Sequence, residues 1–385
     1  MIKNNINIKS KLPDFSNSIF ATMTQLAEKH KAINLSQGFP DFNSPDELLS
    51  LVKKHISEGR NQYAPMKGSD ELRKILSKKY KDLYSREYHW DEEITITAGA
   101  TQAIFSAITA FVCEDDEVII IEPAFDTYAP SIRYNGGIIR YSTTTPPDFK
   151  INWEQVKRMI SSRTRMIILN FPNNPTGKSI SAADLDKLHR LIRNTDILVM
   201  SDEVYEHIIF DQQKHISLAT HEGLCQRTLI VSSFGKSFSI TGWKLGYCVA
   251  PQKLMHEFRK AHQNIVFAAN HPMQMALSDY MKNPQTYLEL GEVYQQKRDL
   301  FVSLLDKSRF RLLPSEATFY QLADYSNISN KTDLEFAKEL IIKHGLAAVP
   351  LSAFYHCSND HRIIRFCFAK SDETLKKAAD ILCKI

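Results

Sequence analysis

The chain has 385 residues, of which 43% are hydrophobic and 24% charged, with 48 lysines and arginines against 44 aspartates and glutamates. These proportions are those of a soluble globular protein and exclude a disordered or fibrous chain, while the net charge of +4 is spread along the chain without the basic run that a nucleic-acid partner would require. No stretch approaches the roughly 18 apolar residues of a membrane span, and the opening segment MIKNNINIKSKLPDF lacks the apolar core of a secretory signal, so a cytoplasmic protein with no membrane partner is expected.

A chain this long outgrows one compact core and predicts about two domains, at roughly 100–200 residues each. Residues 1–45 include the turn-rich run NLSQGFPDFNSP and too little apolar periodicity to fold alone. They are expected to pack on a second, smaller domain and to line a cleft. Residues 46–286 repeat one pattern, a short β-branched run that ends in a turn and is followed by an amphipathic stretch, which predicts a parallel sheet with helical crossovers. Strands are expected at Ile94–Thr97, Glu117–Ile121, Arg165–Asn170, Ile197–Ser201, Thr228–Ser232 and Leu245–Ala250. The segments at or near their ends, TAGAT, EPAFD, NFPNNPTG, SDEVYEH and SSFGKS, should converge, because ligands of open α/β sheets bind beyond the carboxyl ends of the strands. From Tyr287 the pattern changes to a long charged helix, YLELGEVYQQKRDLFVSLLD, then to strands near Thr318–Ala323 and Ile363–Phe368, so residues 287–385 read as a smaller α+β domain. The fold class is therefore α/β, a large domain with a mostly parallel sheet between helices plus the smaller one. The six cysteines have no CxxC spacing and fall mostly in apolar stretches, so buried, reduced thiols are expected rather than disulfides or a metal site.

Chemistry enters at the strand ends. The segment SSFGKSFSITGWKLGY follows a strand and holds Lys236 and Lys244, eight positions apart. A lysine at a strand end among small residues can be desolvated in a cleft, which lowers its pKa and makes it an amine nucleophile; a solvated lysine beside a turn satisfies the same pattern. Asp202 in SDEVYE is either a carboxylate delivered to the cleft or the cap of a following helix. In TAGAT the amides of Ala100 and Thr101 open a helix and can face an anion. Arg365, in IRFCFAK, alternates with apolar strand positions and could hold a carboxylate bidentately.

Taken together, NLSQGFPDF, NQYAP, TAGATQA, NFPNNPTG, SDEVYE, SSFGKSFSITGWKLGY and IRFCFAK occur in an order that resembles the class I/II aminotransferases, fold-type I pyridoxal-phosphate enzymes, over nearly the whole chain. The resemblance implies pyridoxal 5′-phosphate carried on Lys236 as a Schiff base, with Lys236 also moving the substrate proton. By the same resemblance Asp202 pairs with the pyridine nitrogen, Tyr205 and Asn174 bond the phenolic oxygen, and Phe125 stacks on the ring. Ala100, Thr101, Ser233 and Lys244 hold the phosphate, joined by Tyr63 from the neighbouring subunit, which implies a homodimer with shared active sites. Arg365 holds the substrate α-carboxylate, Gly38 adds a backbone contact, and Phe20 and Phe267 stand where relatives place aromatic pocket residues. SQGFPDF, NQYAPMKG, GATQAI and EATFY are most similar to the kynurenine aminotransferase/glutamine transaminase K group and its bacterial methionine aminotransferases. The implied reaction moves the amino group of an amino acid to a 2-oxo acid by a ping-pong mechanism. Cysteine-conjugate C–S β-lyase chemistry on the same scaffold is the alternative, and the DNA-binding regulators that carry this fold fit less well, since no added basic domain is present.

Overall fold

The computed structural model describes residues 9–15 and 18–385. Residues 1–8 and 16–17 of the N-terminal segment lie outside the described residues.

The central sheet has seven strands in the order β2-β8-β7-β6-β5-β3-β4: β2 (Ile94–Thr97), β3 (Glu117–Glu122), β4 (Ile138–Thr143), β5 (Thr164–Asn170), β6 (Leu198–Asp202), β7 (Thr228–Ser233) and β8 (Gly246–Val249). Strands β3 to β7 pair in parallel, and β8 runs antiparallel between β2 and β7. The inner strands are buried on both faces, which explains their unbroken apolar runs. Along β3 and β5, Val118, Ile120, Met166 and Ile168 pack against the helices Gly99–Phe111 and Gln252–Ile265. The intervening Ile119, Ile121, Ile167 and Leu169 pack on the opposite face against Trp153–Met159 and Ala182–Ile192. Burying each such side chain contributes about 1.5–3 kcal/mol.

The helix after β3, Tyr128–Tyr134, covers the first face, and the helix after β5, Ala182–Ile192, covers the second. The crossovers therefore diverge between β3 and β5, where the strand ends leave a crevice. This opens beside Phe125 and the Asn170–Asn174 turn.

The six strands expected from the sequence all form, with ends shifted by a residue or so. Strand β4 was not expected: it is a half-exposed edge strand with Arg140 in its middle, so its apolar signal is weak. The long helix expected from Tyr287 is divided at Glu289 into Gln285–Leu288 and Leu290–Leu304. A second sheet, β12-β13-β10-β9, combines β9 (Arg311–Leu312), β10 (Tyr320–Asp324), β12 (Val349–Pro350) and β13 (Ile363–Cys367), all antiparallel. The N-terminal strand β1 (Ile33–Asn34) pairs in parallel with β11 (Leu346–Ala347), and the helix Ile19–His30 packs on the same cluster as Asp333–His344. Cys225, Cys248 and Cys367 are buried, but Cys113, Cys357 and Cys383 are exposed, which corrects the expectation of burial; all six are free thiols. Among the described residues no helix is long and apolar enough to cross a membrane.

Candidate active site

The strand ends meet as their pairing dictates. Asn170 stands beside Asp202 across β5 and β6, and Asp202 beside Val231 across β6 and β7. Beyond them a cavity of about 240 Å³ is lined by Ala100, Thr101, Phe125, Asn174, Asp202, Tyr205, Ser233, Lys236 and Lys244. Arg365, Gly38 and Phe20 adjoin this group through the contacts described below, whereas Tyr63 and Phe267 stand apart from it.

Lys236 lies in the one-turn helix Phe234–Ser237 that follows β7. Its Nζ donates to the Gly38 carbonyl at 3.1 Å and sits 5.8 Å from the Tyr205 ring centre and 5.7 Å from that of Phe319. Burial pushes its pKa down to about 8, with the charges of Arg365 and Lys244 adding to the effect and Cys367 and Asp202 opposing it. A neutral amine is thereby within reach at mildly alkaline pH. Gly38 is required at its position, since a Cβ there would stand 2.0 Å from the Tyr320 hydroxyl.

Asp202 is buried. Its Oδ2 accepts from the Tyr128 hydroxyl at 2.5 Å and its Oδ1 from the Val204 amide at 3.3 Å. Burial nevertheless raises its pKa to about 6, against those two hydrogen bonds. Residues 204–207 form a turn rather than a helix, so Asp202 is not a helix cap.

The helix Gly99–Phe111 begins with neither a side-chain cap nor an acidic residue in its first turn. Lys244, itself in a left-handed conformation (φ 53°), passes over that end: its Cε would be 3.5 Å from a Cβ placed on Gly99. Gly246 lets β8 run beneath the same turn, where a Cβ would stand 2.8 Å from the Ala100 nitrogen. Free amides, an ammonium and the Ser233 hydroxyl thus share one wall of the cavity. That is an anion site. A buried carboxylate with a raised pKa faces the same space, so the cavity fits a group that is anionic at one end and cationic at another, as pyridoxal phosphate is.

Arg365, on β13, is 0% exposed. Its Nη1 donates to Asn174 Oδ1 at 2.6 Å and its Nη2 to the Ser36 carbonyl at 2.8 Å, while Nε has no partner. The guanidinium lies 3.9 Å from the Tyr320 ring centre and 5.2 Å from those of Phe20 and Phe354. Among the described residues its recorded hydrogen-bond partners are these two neutral oxygens, and no carboxylate pairs with it. A buried cation without a counter-ion is costly unless an anion arrives.

Tyr63 is 83% exposed and packs edge-on against Phe267, 44% exposed, with ring centres 5.6 Å apart. Three further groups were not singled out from the sequence. Tyr128 bonds Asp202, and the Tyr320 hydroxyl lies 2.8 Å from that of Tyr205. Behind the strand ends, Lys79 and Glu206 form a fully buried ion pair at 2.7 Å, and Tyr84, Tyr247 and Ser232 all donate to the same carboxylate. Burial alone would raise Glu206, but the Lys79 ammonium overrides it and holds the carboxyl well below its usual range. The pair anchors the turn that follows Asp202 and carries Tyr205.

The profile of the family "Aminotransferase class I and II" matches residues 30–382. The chain is 46% identical to the methionine aminotransferase of Escherichia coli (strain K12) across 99% of both chains. It is 34% identical to a kynurenine–oxoglutarate transaminase of Dictyostelium discoideum, across 96% of this chain and 94% of that one. A crystal structure of an Escherichia coli methionine aminotransferase superposes with a TM-score of 0.97, at 46% identity over 99% of this chain and 100% of the other. N-succinyldiaminopimelate aminotransferase from Mycobacterium tuberculosis superposes with a TM-score of 0.94, at 32% identity over 98% and 100%. A family match over most of the chain, with relatives this similar along their full length, makes this protein an aminotransferase that belongs to class I and II.

Proposed function

We propose that the protein is a pyridoxal-phosphate-dependent aminotransferase for L-amino acids of the methionine, aromatic, glutamine and kynurenine type, passing the amino group to a 2-oxo acid by a ping-pong mechanism. The observation that carries the substrate reading is Arg365, a buried guanidinium with a free Nε set among the rings of Tyr320, Phe20 and Phe354. It calls for a carboxylate attached to an apolar or aromatic remainder, and flat rings favour a thioether or aromatic side chain. The names of the relatives, methionine aminotransferase and kynurenine–oxoglutarate transaminase, support the same group.

Pyridoxal phosphate, when bound, supplies a ring that withdraws electrons from the substrate Cα. The chain does the rest. With it bound, Lys236 Nζ would be the attachment point and would take the proton from Cα; Asp202 would keep a positive charge on the ring nitrogen, Tyr205 and Asn174 would hold the phenolic oxygen, and Phe125 would cover the ring. Ala100, Thr101, Ser233 and Lys244 would hold the phosphate, and Gly38 would back the substrate carboxylate. The exposed pair Tyr63 and Phe267 is suited to completing the site of a second copy, which supports a homodimer. Residues 1–45, 46–286 and 287–385 then act as cleft lining, large domain and small domain, in a cytoplasmic enzyme.

A panel of amino donors against 2-oxo acid acceptors tests this reading. Methionine, phenylalanine, glutamine and kynurenine should rank above aspartate, with parallel double-reciprocal lines. Release of ammonia and pyruvate from cysteine conjugates with no need for an acceptor would overturn it. Arg365→Ala should lower kcat/KM for amino donors by roughly 30–1,000-fold, the equivalent of about 2–4 kcal/mol, mostly through KM. An unchanged KM would remove Arg365 from the carboxylate role.

A further inference from the structure

Cys357, His356 and Glu122 form a line of hydrogen bonds, and none of the three lines the cofactor cavity. The Cys357 Sγ lies 2.8 Å from His356 Nε2, and His356 Nδ1 lies 2.8 Å from Glu122 Oε2. The other Glu122 oxygen accepts the His356 amide at 2.6 Å. Glu122 is 2% exposed and closes β3. A carboxylate only accepts, so Nδ1 carries the proton and Nε2 turns its lone pair to the thiol. The imidazole cannot swing away easily, because it is stacked on Tyr141 with ring centres 4.1 Å apart and planes 8° from parallel. Cys357 itself is exposed. The titratable and charged groups that face this imidazole are Glu122 on β3, Tyr141 on β4 with Arg133 acting on it, and Cys357, while Asp360 and His361 follow on the same loop.

A nucleophile, a base within hydrogen-bond reach and a buried carboxylate that orients the base are the arrangement that activates a thiol. The protein contains its own controls. Cys113 and Cys383 are also exposed, yet among the described residues neither meets an imidazole, and the Cys383 Sγ faces the Leu304 carbonyl at 3.4 Å. The loop is rigidly placed: the Ala124 amide donates to the Phe354 carbonyl at 2.9 Å and the Tyr355 hydroxyl to the Thr144 carbonyl at 3.0 Å. The thiol therefore stands at the seam between the two sheets.

We propose that Cys357 is a thiol–disulfide exchange site that takes small soluble disulfides. His356 Nε2 accepts the thiol proton as Sγ attacks one sulfur of the disulfide. The old S–S bond breaks, a new one joins Cys357 to half of the reagent, and the leaving thiolate takes the proton from the imidazolium. One thiol and one disulfide give one mixed disulfide and one thiol, with no other oxidant or reductant.

The test treats the full-length, cofactor-loaded protein with excess oxidised glutathione and follows each cysteine by peptide mass spectrometry. Cys357 should be modified roughly tenfold or more faster than Cys113 or Cys383, reversibly with dithiothreitol, and His356→Gln should bring it down to their rate. Cys357→Ser should abolish the fast phase and keep transaminase activity. A Cys357 rate within twofold of Cys113, or a fast rate that survives His356→Gln, overturns the proposal. If His356→Gln fails to fold, His356→Asn decides, and a Cys357 rate that stays fast in that variant would refute the role of the imidazole.

Discussion

Replacing Lys236 by alanine is expected to lower kcat by about 10⁴-fold or more, the largest loss of any single substitution in this site, because one amine holds two roles. The first role is attachment. With a pKa pushed down to about 8, half of Lys236 is unprotonated at that pH, whereas an ordinary lysine would offer roughly 0.3%. Desolvation does most of this, and Arg365 and Lys244 repel a further positive charge. The second role is proton transfer at the substrate Cα, for which the amine must lie inside the cavity rather than at its rim. Borohydride treatment of the loaded protein should fix a pyridoxyl group on the peptide that contains Lys236, and the alanine variant should bind the cofactor without being labelled. If the variant is labelled at Lys244 instead, the two lysines have been assigned the wrong way round. Lys236→Arg should be nearly as inactive as alanine, since a guanidinium keeps the charge but loses no proton; substantial activity in that variant would leave the lysine with a positioning role alone.

The central sheet was legible because β3 and β5 are buried on both faces and so cannot hide their apolar character, whereas β4 pairs on one side only and carries Arg140. The cavity residues were legible only as a set. Lys236 alone is an unremarkable lysine; with Asp202, Asn174, Lys244 and the bare helix start at Gly99 it becomes a site. What escaped were hydroxyls whose partners are far away in the chain. Tyr128 meets Asp202 across 74 residues and Tyr205 meets Tyr320 across 115, and nothing local distinguishes those tyrosines from packed rings. Lys79 did leave a trace: it continues the buried stripe Leu72, Leu76, Tyr80 of its helix, and a lysine in such a stripe needs a buried acid. The acid, Glu206, closes the SDEVYE motif, where nothing local distinguishes it from Glu203.

Asp202→Asn should cost roughly 10²–10⁴-fold in kcat, the scale expected when one partner of a buried ion pair is removed, while making the cofactor-free protein more stable at alkaline pH. The sign follows from the carboxyl's position. Its folded pKa, about 6, lies above the ordinary 3.8, so the folded state binds the proton more tightly than the unfolded state does. Below pH 3.8 this favours folding in full; the advantage is lost as pH rises through 6, and by pH 8 the buried charge costs up to about 3 kcal/mol relative to a carboxyl of ordinary pKa. Asparagine keeps the shape without the charge. In urea at pH 8, without cofactor, the variant should therefore unfold at a higher midpoint than the unaltered protein, and the gap should shrink towards pH 4. Added pyridoxal phosphate should stabilise the unaltered protein more than the variant at pH 8, because a cationic ring nitrogen relieves the charge that burial leaves exposed to no solvent. Were the variant less stable than the unaltered protein at pH 8 without cofactor, the Tyr128 and Val204 hydrogen bonds would be the reason for the carboxylate, and its place as partner of the ring nitrogen would have to be abandoned.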